Sequence, residues 1–298
     1  MDRSSLSTVL RVSALVLLLH FLPMPLLAQS SDRSSRIRID TLANFPSAIL
    51  DRSRTVRIVL PPGYRSTPQR YPVLFMNDGQ DLEAMRVTQI LDSLYRKHAI
   101  QPLILVAVHA TDARIQEYGA AASPNAQGLG AEAVRYERFL LEELMPVIRR
   151  RYGITRSASK TAIMGASLGG LSAFDMAWNH PDVFGRVGVF SGSFWWRSND
   201  STVATKQASR IMHRQVRETK RAPKIRIWLE AGKQDERDDR DGNGVIDAIQ
   251  DTQELMDALA TKGFREGREM TYFEVDGGHD PATWGRALPE FLRWAFKP

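Results

Sequence analysis

The sequence predicts an α/β fold with a doubly wound, mostly parallel sheet that begins with two antiparallel strands. Short apolar runs bounded by Gly, Pro or Asp alternate with amphipathic stretches at helical spacing, which is typical of parallel strands covered by helices on both faces. Ahead of them, residues 36–40 and 55–60 alternate apolar with polar side chains, which indicates half-buried antiparallel strands. With 298 residues, 43% of them hydrophobic, the chain is long enough for one sizeable core.

The N-terminus has the order of a secretory signal peptide. Arg3 and Arg11 precede an apolar run over residues 12–22, and a proline-containing segment ends at Ala28. That run is half of the roughly 20 residues that a membrane-spanning helix needs. We therefore expect a signal peptide (1–28), a disordered linker (29–35) and one domain (36–298), with a periplasmic or secreted location and no stable membrane insertion after cleavage.

Charge and cysteine content exclude some classes of partner and site. The formal net charge is +6, from 40 Lys and Arg against 34 Asp and Glu, and these residues are spread along the chain. This distribution favours a solvated basic surface and no nucleic-acid partner. The chain has no cysteine, which excludes disulfides. The sequence leaves the oligomeric state open.

The expected elements follow one another in a regular order. The predicted parallel strands are residues 72–76, 103–108, 161–164, 225–229 and 271–275. The predicted helices are residues 81–97, 131–152, 168–179, 247–261 and 281–296.

A Gly-x-Ser-x-Gly run, residues 165–169, lies between the strand that ends at Met164 and a helix that begins at Leu168. This context of strand, tight turn and helix is that of a nucleophile elbow. Ser167 is the predicted nucleophile, since small neighbours let its hydroxyl project above the sheet. The amide of Leu168, at the helix N-terminus, is placed to stabilise an oxyanion.

An activated serine needs a base and an acid, in the chain order Ser, acid, His. His279 is the predicted base because it lies between the last strand and the last helix, whereas His213 is expected to be solvated within a helix. Asp235, after the strand over 225–229, is the predicted acid, which would fix the tautomer of the imidazole. Glu236 and several aspartates crowd the same loop, so a neighbouring residue stays an alternative.

These and further motifs resemble those of the esterase D and enterochelin-esterase-like branch of the α/β hydrolases, which is related to mycolyltransferases. The resemblance covers nearly the whole chain after the signal peptide. The motifs that carry it are Leu-Pro-Pro-Gly-Tyr (60–64), Tyr-Pro-Val-Leu (71–74), Asp-Gly-Gln (78–80), Glu-Tyr (117–118), Gly-Ala-Ser-Leu-Gly-Gly (165–170), Phe-Ser-Gly-Ser-Phe-Trp-Trp (190–196), Gly-Gly-His (277–279) and Trp284.

The resemblance implies an α/β-hydrolase fold with one catalytic domain over residues 36–298. It implies that the second oxyanion amide is that of Gln80. It also implies a substrate pocket lined by Asp78, Arg114, Glu117, Trp195 and Trp196. From the residues alone, the adjacent tryptophans either stack on an aromatic acyl group or cover the sheet.

The predicted function is that of an exported serine esterase, which cleaves a small-molecule ester through an acyl-enzyme on Ser167 and needs no cofactor for catalysis. Siderophore-type and feruloyl-type esters fit the expected compartment. One alternative is acyl transfer to a sugar or cell-wall acceptor. Another is a non-catalytic binding module on the same fold, but that reading predicts a missing triad residue, and all three candidates are present.

An acidic loop follows the predicted acid. Residues 239–247 match the first nine positions of an EF-hand loop, although Gln250 replaces the bidentate glutamate at position twelve. The pattern predicts a structural Ca²⁺ site that would anchor the loop after Asp235, with an Asp/Gly-rich turn as the alternative. The ligands would be Asp239, Asp241, Asn243 and Asp247.

Overall fold

A single mixed sheet organises the chain. The computed structural model describes residues 36–65 and 70–298, so the predicted signal peptide (1–28) and linker (29–35) lie outside the described residues. Within this part of the chain the sheet has eight strands in the order β1-β2-β4-β3-β5-β6-β7-β8. The strands are β1 (Arg38–Ser47), β2 (Arg52–Leu60), β3 (Val73–Met76), β4 (Ile104–Val108), β5 (Thr161–Ala166), β6 (Arg186–Phe190), β7 (Arg226–Gln234) and β8 (Met270–Gly278).

The first two strands form the predicted antiparallel pair. β1 pairs with β2, and β2 pairs antiparallel with β4, while the neighbours from β4 to β8 are parallel. β1 extends to Ser47, beyond its predicted end, by passing through a bulge between Leu42 and Phe45. Asn44 takes up the extra residue with a left-handed φ of 54°.

Helices cover both faces of the sheet. They are α1 (Val87–Arg96), α2 (Arg114–Glu117), α3 (Ala133–Arg138), α4 (Met145–Tyr152), α5 (Leu168–Asn179), α6 (Val203–Ala208), α7 (Ile211–Glu218), α8 (Asp247–Ala260) and α9 (Pro281–Ala295). The helix predicted over 131–152 is present as α3 and α4 joined by a π-helical segment, Phe139–Leu144. Pro146, in the first turn of α4, cannot donate a backbone hydrogen bond. The π-helical segment, which is wound more loosely than an α-helix, lies directly before this turn.

Two further elements differ from the sequence prediction. β6 was not among the predicted strands, because Arg186 and Gly188 interrupt its apolar run. The helix predicted from Asp81 begins instead with a 3₁₀ turn (Gly79–Leu82), and α1 starts after the left-handed residue Arg86.

The central strands are buried on both faces. Phe75 and Ile163 point into one hydrophobic cluster, while Leu74 and Met164 point into the other. This two-sided burial explains why the central strands are continuous apolar runs in the sequence. No helix in the described part of the chain is long and apolar enough to cross a membrane.

Candidate active site

Ser167 occupies the sharp turn between β5 and α5. Its backbone has φ 56° and ψ −128°, a conformation that a non-glycine residue adopts only under strain. A Cβ atom at Gly165 would collide with the carbonyl group of Gly169, and one at Gly170 would lie 2.9 Å from Val189 Cγ1. Because these close approaches exclude larger residues, the glycines of the motif are required by the turn itself.

The segment after β3 is bound to this turn. Asn77 N–H donates to Met164 O (2.9 Å), and the Asn77 side-chain amide donates to Gly169 O (2.9 Å). Gln80 is the second residue of the 3₁₀ turn, and Leu168 is the first residue of α5. Amides in a first helical turn have no acceptor within their own helix, which an oxyanion donor requires, and the oxyanion roles of Gln80 and Leu168 stay predictions.

The predicted acid and base follow the last two strands. Asp235 directly follows β7 and its side chain is 1% exposed, whereas His279 directly follows β8 and its side chain is 40% exposed. His279 Nδ1 lies 3.8 Å from Asp235 Oδ1. The imidazole also meets the ring of Trp284 edge to face, with 5.3 Å between centroids.

The predicted nucleophile and the predicted base are not hydrogen-bonded to each other. Ser167 Oγ lies 3.4 Å from Ser193 Oγ, and no hydrogen bond joins Ser167 to His279 among the described side chains. The fold therefore brings Ser167, Asp235 and His279 to the carboxyl ends of β5, β7 and β8, and their catalytic roles stay predictions.

Three of the predicted pocket residues lie at the same edge. Arg114 binds Asp78 through two hydrogen bonds of 2.7 and 2.8 Å, and its guanidinium lies over the Tyr118 ring. The Arg114 side chain remains 35% exposed, while Asp78 is buried against Gly169. Trp195 is 41% exposed, so both Arg114 and Trp195 are accessible to a substrate.

Comparison with known proteins identifies the family of the chain. The Esterase family model matches residues 47–295, which is most of the chain. The chain belongs to the Esterase family. It is therefore an enzyme that hydrolyses esters, and the predicted kinship with the enterochelin-esterase-like α/β hydrolases is confirmed.

Individual relatives of this esterase support the family and the fold. The iron(III) enterobactin esterase of Escherichia coli (strain K12) is 24% identical over 234 residues, which are 78% of this chain and 52% of that protein, so the chain spans about half of the relative. The enterobactin esterase structure from Shigella flexneri has a TM-score of 0.69 at 23% identity, over 87% of this chain and 59% of that one. A ferulic acid esterase structure has a TM-score of 0.66 at 20% identity, over 88% and 98%. The predicted α/β-hydrolase fold is confirmed.

Two pocket predictions need correction. Glu117 is fully buried in the esterase, and its carboxylate binds Arg54 (2.8 and 3.1 Å) and Arg52 (2.9 Å). Trp196 is also buried, with its indole packed against Gly119 and Gly130. Glu117 forms a buried ion pair and Trp196 packs in the core, so neither side chain is available to a substrate.

His213 is not the solvated helix residue that the sequence suggested. It is fully buried, and its Nε2 lies 2.9 Å from Asp251 O. Burial, together with the charge of Arg210, lowers the pKa of His213 to about 3. The apolar residues Ile211, Met212 and Val216 on the same helix are the signal that marks this face as internal.

Side-chain oxygens of the acidic loop bind other groups of the protein. Asp239 accepts hydrogen bonds from the backbone of Asn243 and Gly244, and Asp247 pairs with Arg240. In the described part of the chain, no group of three or more acidic or histidine side chains is arranged to hold a metal ion. The Ca²⁺ site at Asp239, Asp241, Asn243 and Asp247 therefore stays a prediction from the sequence pattern, and this arrangement fits the alternative of an Asp/Gly-rich turn.

Three residues of the site were missed at the level of sequence. Asn77 binds the turn that carries Ser167, and Asp78 N–H donates to the Tyr118 hydroxyl (3.1 Å). Glu230, within β7, is buried, and both of its carboxyl oxygens lack a hydrogen-bond partner among the described residues. Burial, followed by the negative charge of Asp235, raises the pKa of Glu230 to about 8. A polar side chain at the end of an apolar strand is the one signal that could have identified Asn77 and Glu230.

The raised pKa of Glu230 predicts how stability depends on pH. The folded protein keeps a proton on Glu230 that the unfolded chain releases above a pKa of 4.5, so the free energy of unfolding should fall as the pH rises from about 4.5 to about 8. Glu230→Gln should remove this contribution and gain roughly 3 kcal/mol or more over the wild type at pH 8. Urea unfolding at pH 5, 6.5 and 8 measures the difference, and an unchanged pH dependence in the variant would contradict the assignment.

The buried ion pair predicts a loss of stability in Glu117→Gln. Removing the carboxylate charge leaves the buried Arg54 guanidinium uncompensated, which should lower the free energy of unfolding by about 3 kcal/mol or more. Glu142→Gln is the matched control, because its pair with Arg138 is exposed and should contribute nothing measurable. Urea unfolding of both variants at neutral pH checks the contrast. Equal stabilities would show that the Glu117 cluster is not a structural ion pair.

Proposed function

We propose that this esterase is an exported serine hydrolase that works through an acyl-enzyme on Ser167. The observation that carries the proposal is the placement of a strained serine, a buried aspartate and an exposed histidine after β5, β7 and β8. This chain order is that of a hydrolase triad. Asp235 is the carboxylate that contacts His279, which favours it over the neighbouring acids of the same loop.

In the acylation step, Ser167 Oγ attacks the ester carbonyl while His279 takes the hydroxyl proton. The carbonyl π electrons move onto oxygen, and the amides of Gln80 and Leu168 donate to that oxyanion. The C–O bond to the leaving alkoxide then breaks, and His279 returns the proton to it. Asp235 orients the ring through Nδ1 and stabilises the imidazolium.

Deacylation repeats the sequence with water as the nucleophile. His279 takes a proton from water, the hydroxide adds to the acyl carbonyl, and Ser167 leaves as the protonated alcohol. The products are a carboxylic acid and an alcohol, and atoms and charge balance without a cofactor. His279 must reach Ser167 Oγ in this cycle, which its exposed side chain allows.

For the substrate we favour a small ester whose acyl group carries an aromatic ring. The relatives named for enterobactin and for ferulic acid support a siderophore-type or feruloyl-type ester. Trp195 offers an exposed aromatic face at the same sheet edge as Ser167, and Ser193 connects the two segments. Arg114 adds a fixed guanidinium that suits a phenolic or acidic substituent.

Export to the periplasm or the exterior completes the proposal. It is supported by the two arginines and the apolar run over residues 12–22 that precede Ala28. Mass determination of protein recovered from outside the cytoplasm tests it, since a chain that still begins at Met1 would contradict cleavage.

The acyl-enzyme predicts a covalent adduct. A fluorophosphonate should label Ser167 in the folded protein, and Ser167→Ala should lose labelling and at least about a thousandfold in kcat. Ser193→Ala is the matched control, because its hydroxyl lies beside Ser167 but has no place in the mechanism. Peptide mapping locates the adduct.

The outcomes of this experiment separate the competing functions. An adduct on another residue, or full activity in Ser167→Ala, would overturn the serine mechanism. Product analysis with added sugar acceptors is run in parallel, and free acid as the sole product is the expected result. A transfer product that dominates over free acid would identify an acyltransferase.

The aromatic-acyl hypothesis predicts a substrate-dependent effect at Trp195. Trp195→Ala should raise KM for feruloyl and catecholate esters about two- to tenfold, through loss of ring stacking, and should leave short-chain aliphatic esters nearly unchanged. Phe273→Ala is the control, because Phe273 is similarly exposed (40%) but packs on Trp228. Equal effects on aromatic and aliphatic esters would contradict an aromatic platform.

A further inference from the structure

Four arginines line a groove at the edge of the sheet opposite the active site. The groove has a volume of about 570 Å³ and is formed by Arg70, Arg149, Arg150 and Arg156 together with Pro146 and Ile154. Arg149 and Arg150 lie in the last turn of α4, while Arg70 and Arg156 precede β3 and β5. The residues are far apart in the sequence, and the fold assembles them.

The backbone that carries these side chains is rigidly paired. Tyr71 and Ile154 form a parallel bridge, with Tyr71 N–H donating to Gly153 O (3.0 Å) and Thr155 N–H donating to Tyr71 O (2.8 Å). Gly153 turns the chain at the end of α4 with a left-handed φ of 65°. The bridge therefore fixes the spacing of Arg70 and Arg156 on its two sides.

The groove holds no counter-charge among the described residues. None of the four arginines forms an ion pair there, and the Arg149 Nε atom is buried without a hydrogen-bond partner. Burial and the neighbouring charge of Arg156 lower the pKa of Arg149. By contrast, the buried Arg54 and Arg210 are paired with Glu117 and Asp251. Arg70, Arg150 and Arg156 are exposed and Arg149 is half-buried, so the groove presents unneutralised positive charge that attracts an anion.

We propose that this groove binds a phosphate-type oxyanion. Guanidinium groups present paired N–H donors that match two oxygens of a phosphate or sulfate, and several together favour a multiply charged group. The groove is large enough for such a group with part of the molecule that bears it. Its apolar lining, Pro146 and Ile154, offers a surface for that remainder.

This site is separate from ester hydrolysis. The groove lies at the amino end of β5, and Ser167 follows its carboxyl end, so the six residues of the strand place them about 20 Å apart. The proposal does not depend on the catalytic assignments. It concerns attachment or regulation by an anion, such as a free phosphorylated molecule or a phospholipid headgroup.

Calorimetric titration of the purified protein with inorganic phosphate and pyrophosphate at low ionic strength tests the site. The double variant Arg149→Gln/Arg156→Gln should bind pyrophosphate at least about tenfold more weakly than the wild type, because two charge-assisted contacts are lost. Co-sedimentation with phosphatidylglycerol and phosphatidylcholine vesicles forms a second arm. It distinguishes a lipid headgroup from a free anion as the natural source.

Arg221→Gln/Arg268→Gln is the matched control. Both residues are exposed, their side chains have no ion pair among the described residues, and the variant loses the same two charges. The apolar run over residues 12–22 is present in the wild type and in both variants, so it cannot account for a difference in vesicle binding among them. Binding of pyrophosphate or of phosphatidylglycerol vesicles that is lost in the groove variant alone supports the site. Equal losses in both variants, or no binding of any of these anions, would overturn it.

Discussion

The strained backbone at Ser167 is the constraint on which the site depends. A non-glycine residue is held at φ 56° and ψ −128° only if its surroundings leave no alternative, and here the surroundings are a strand and a helix packed at van der Waals distance. The same close packing brings Gly169 against the Asp78 carboxylate, to which a Cβ atom would lie at 2.5 Å. The turn that carries Ser167 therefore also fixes the loop that carries Gln80.

A chain of buried polar contacts connects this loop to the antiparallel edge of the sheet. Arg54, on β2, lies over the Tyr136 ring and binds Glu117. Tyr136 donates to the Asn77 side chain (2.8 Å), and Tyr118, the neighbour of Glu117, accepts a hydrogen bond from Asp78 N–H. The family motif Glu117-Tyr118 thus acts behind the site, through packing and hydrogen bonds. Both residues are buried, and their contacts hold the loop that carries Asp78 and Gln80.

The sequence could predict those features that depend on local pattern. The central strands are apolar because both of their faces are covered. The glycines around Ser167 indicate positions at which the packed backbone leaves no room for a side chain. Features that depend on which residues meet in space could not be predicted. Glu117 carries the same charge whether it faces a substrate or Arg54, and the arginines of the groove look evenly spread until Tyr71 pairs with Ile154. β6 was missed for a related reason, since Gly188 leaves room for the Phe291 ring and so breaks the apolar run.

The predicted acid and the predicted base differ in exposure: the Asp235 side chain is buried and the His279 side chain is exposed. A second buried carboxyl group, that of Glu230, interacts with Asp235. Asp235 is buried with no hydrogen-bond partner for either oxygen among the described residues, so its charge has His279 as its nearest compensation. A second anion beside it would compete for the same imidazole and add to the cost of burial. Because the pKa of Glu230 is raised to about 8, its carboxyl group stays largely protonated at neutral pH and adds no second full charge beside Asp235. In the proposed mechanism the Asp235 carboxylate then faces the exposed His279 imidazole, as proton transfer between Ser167 and the leaving group requires.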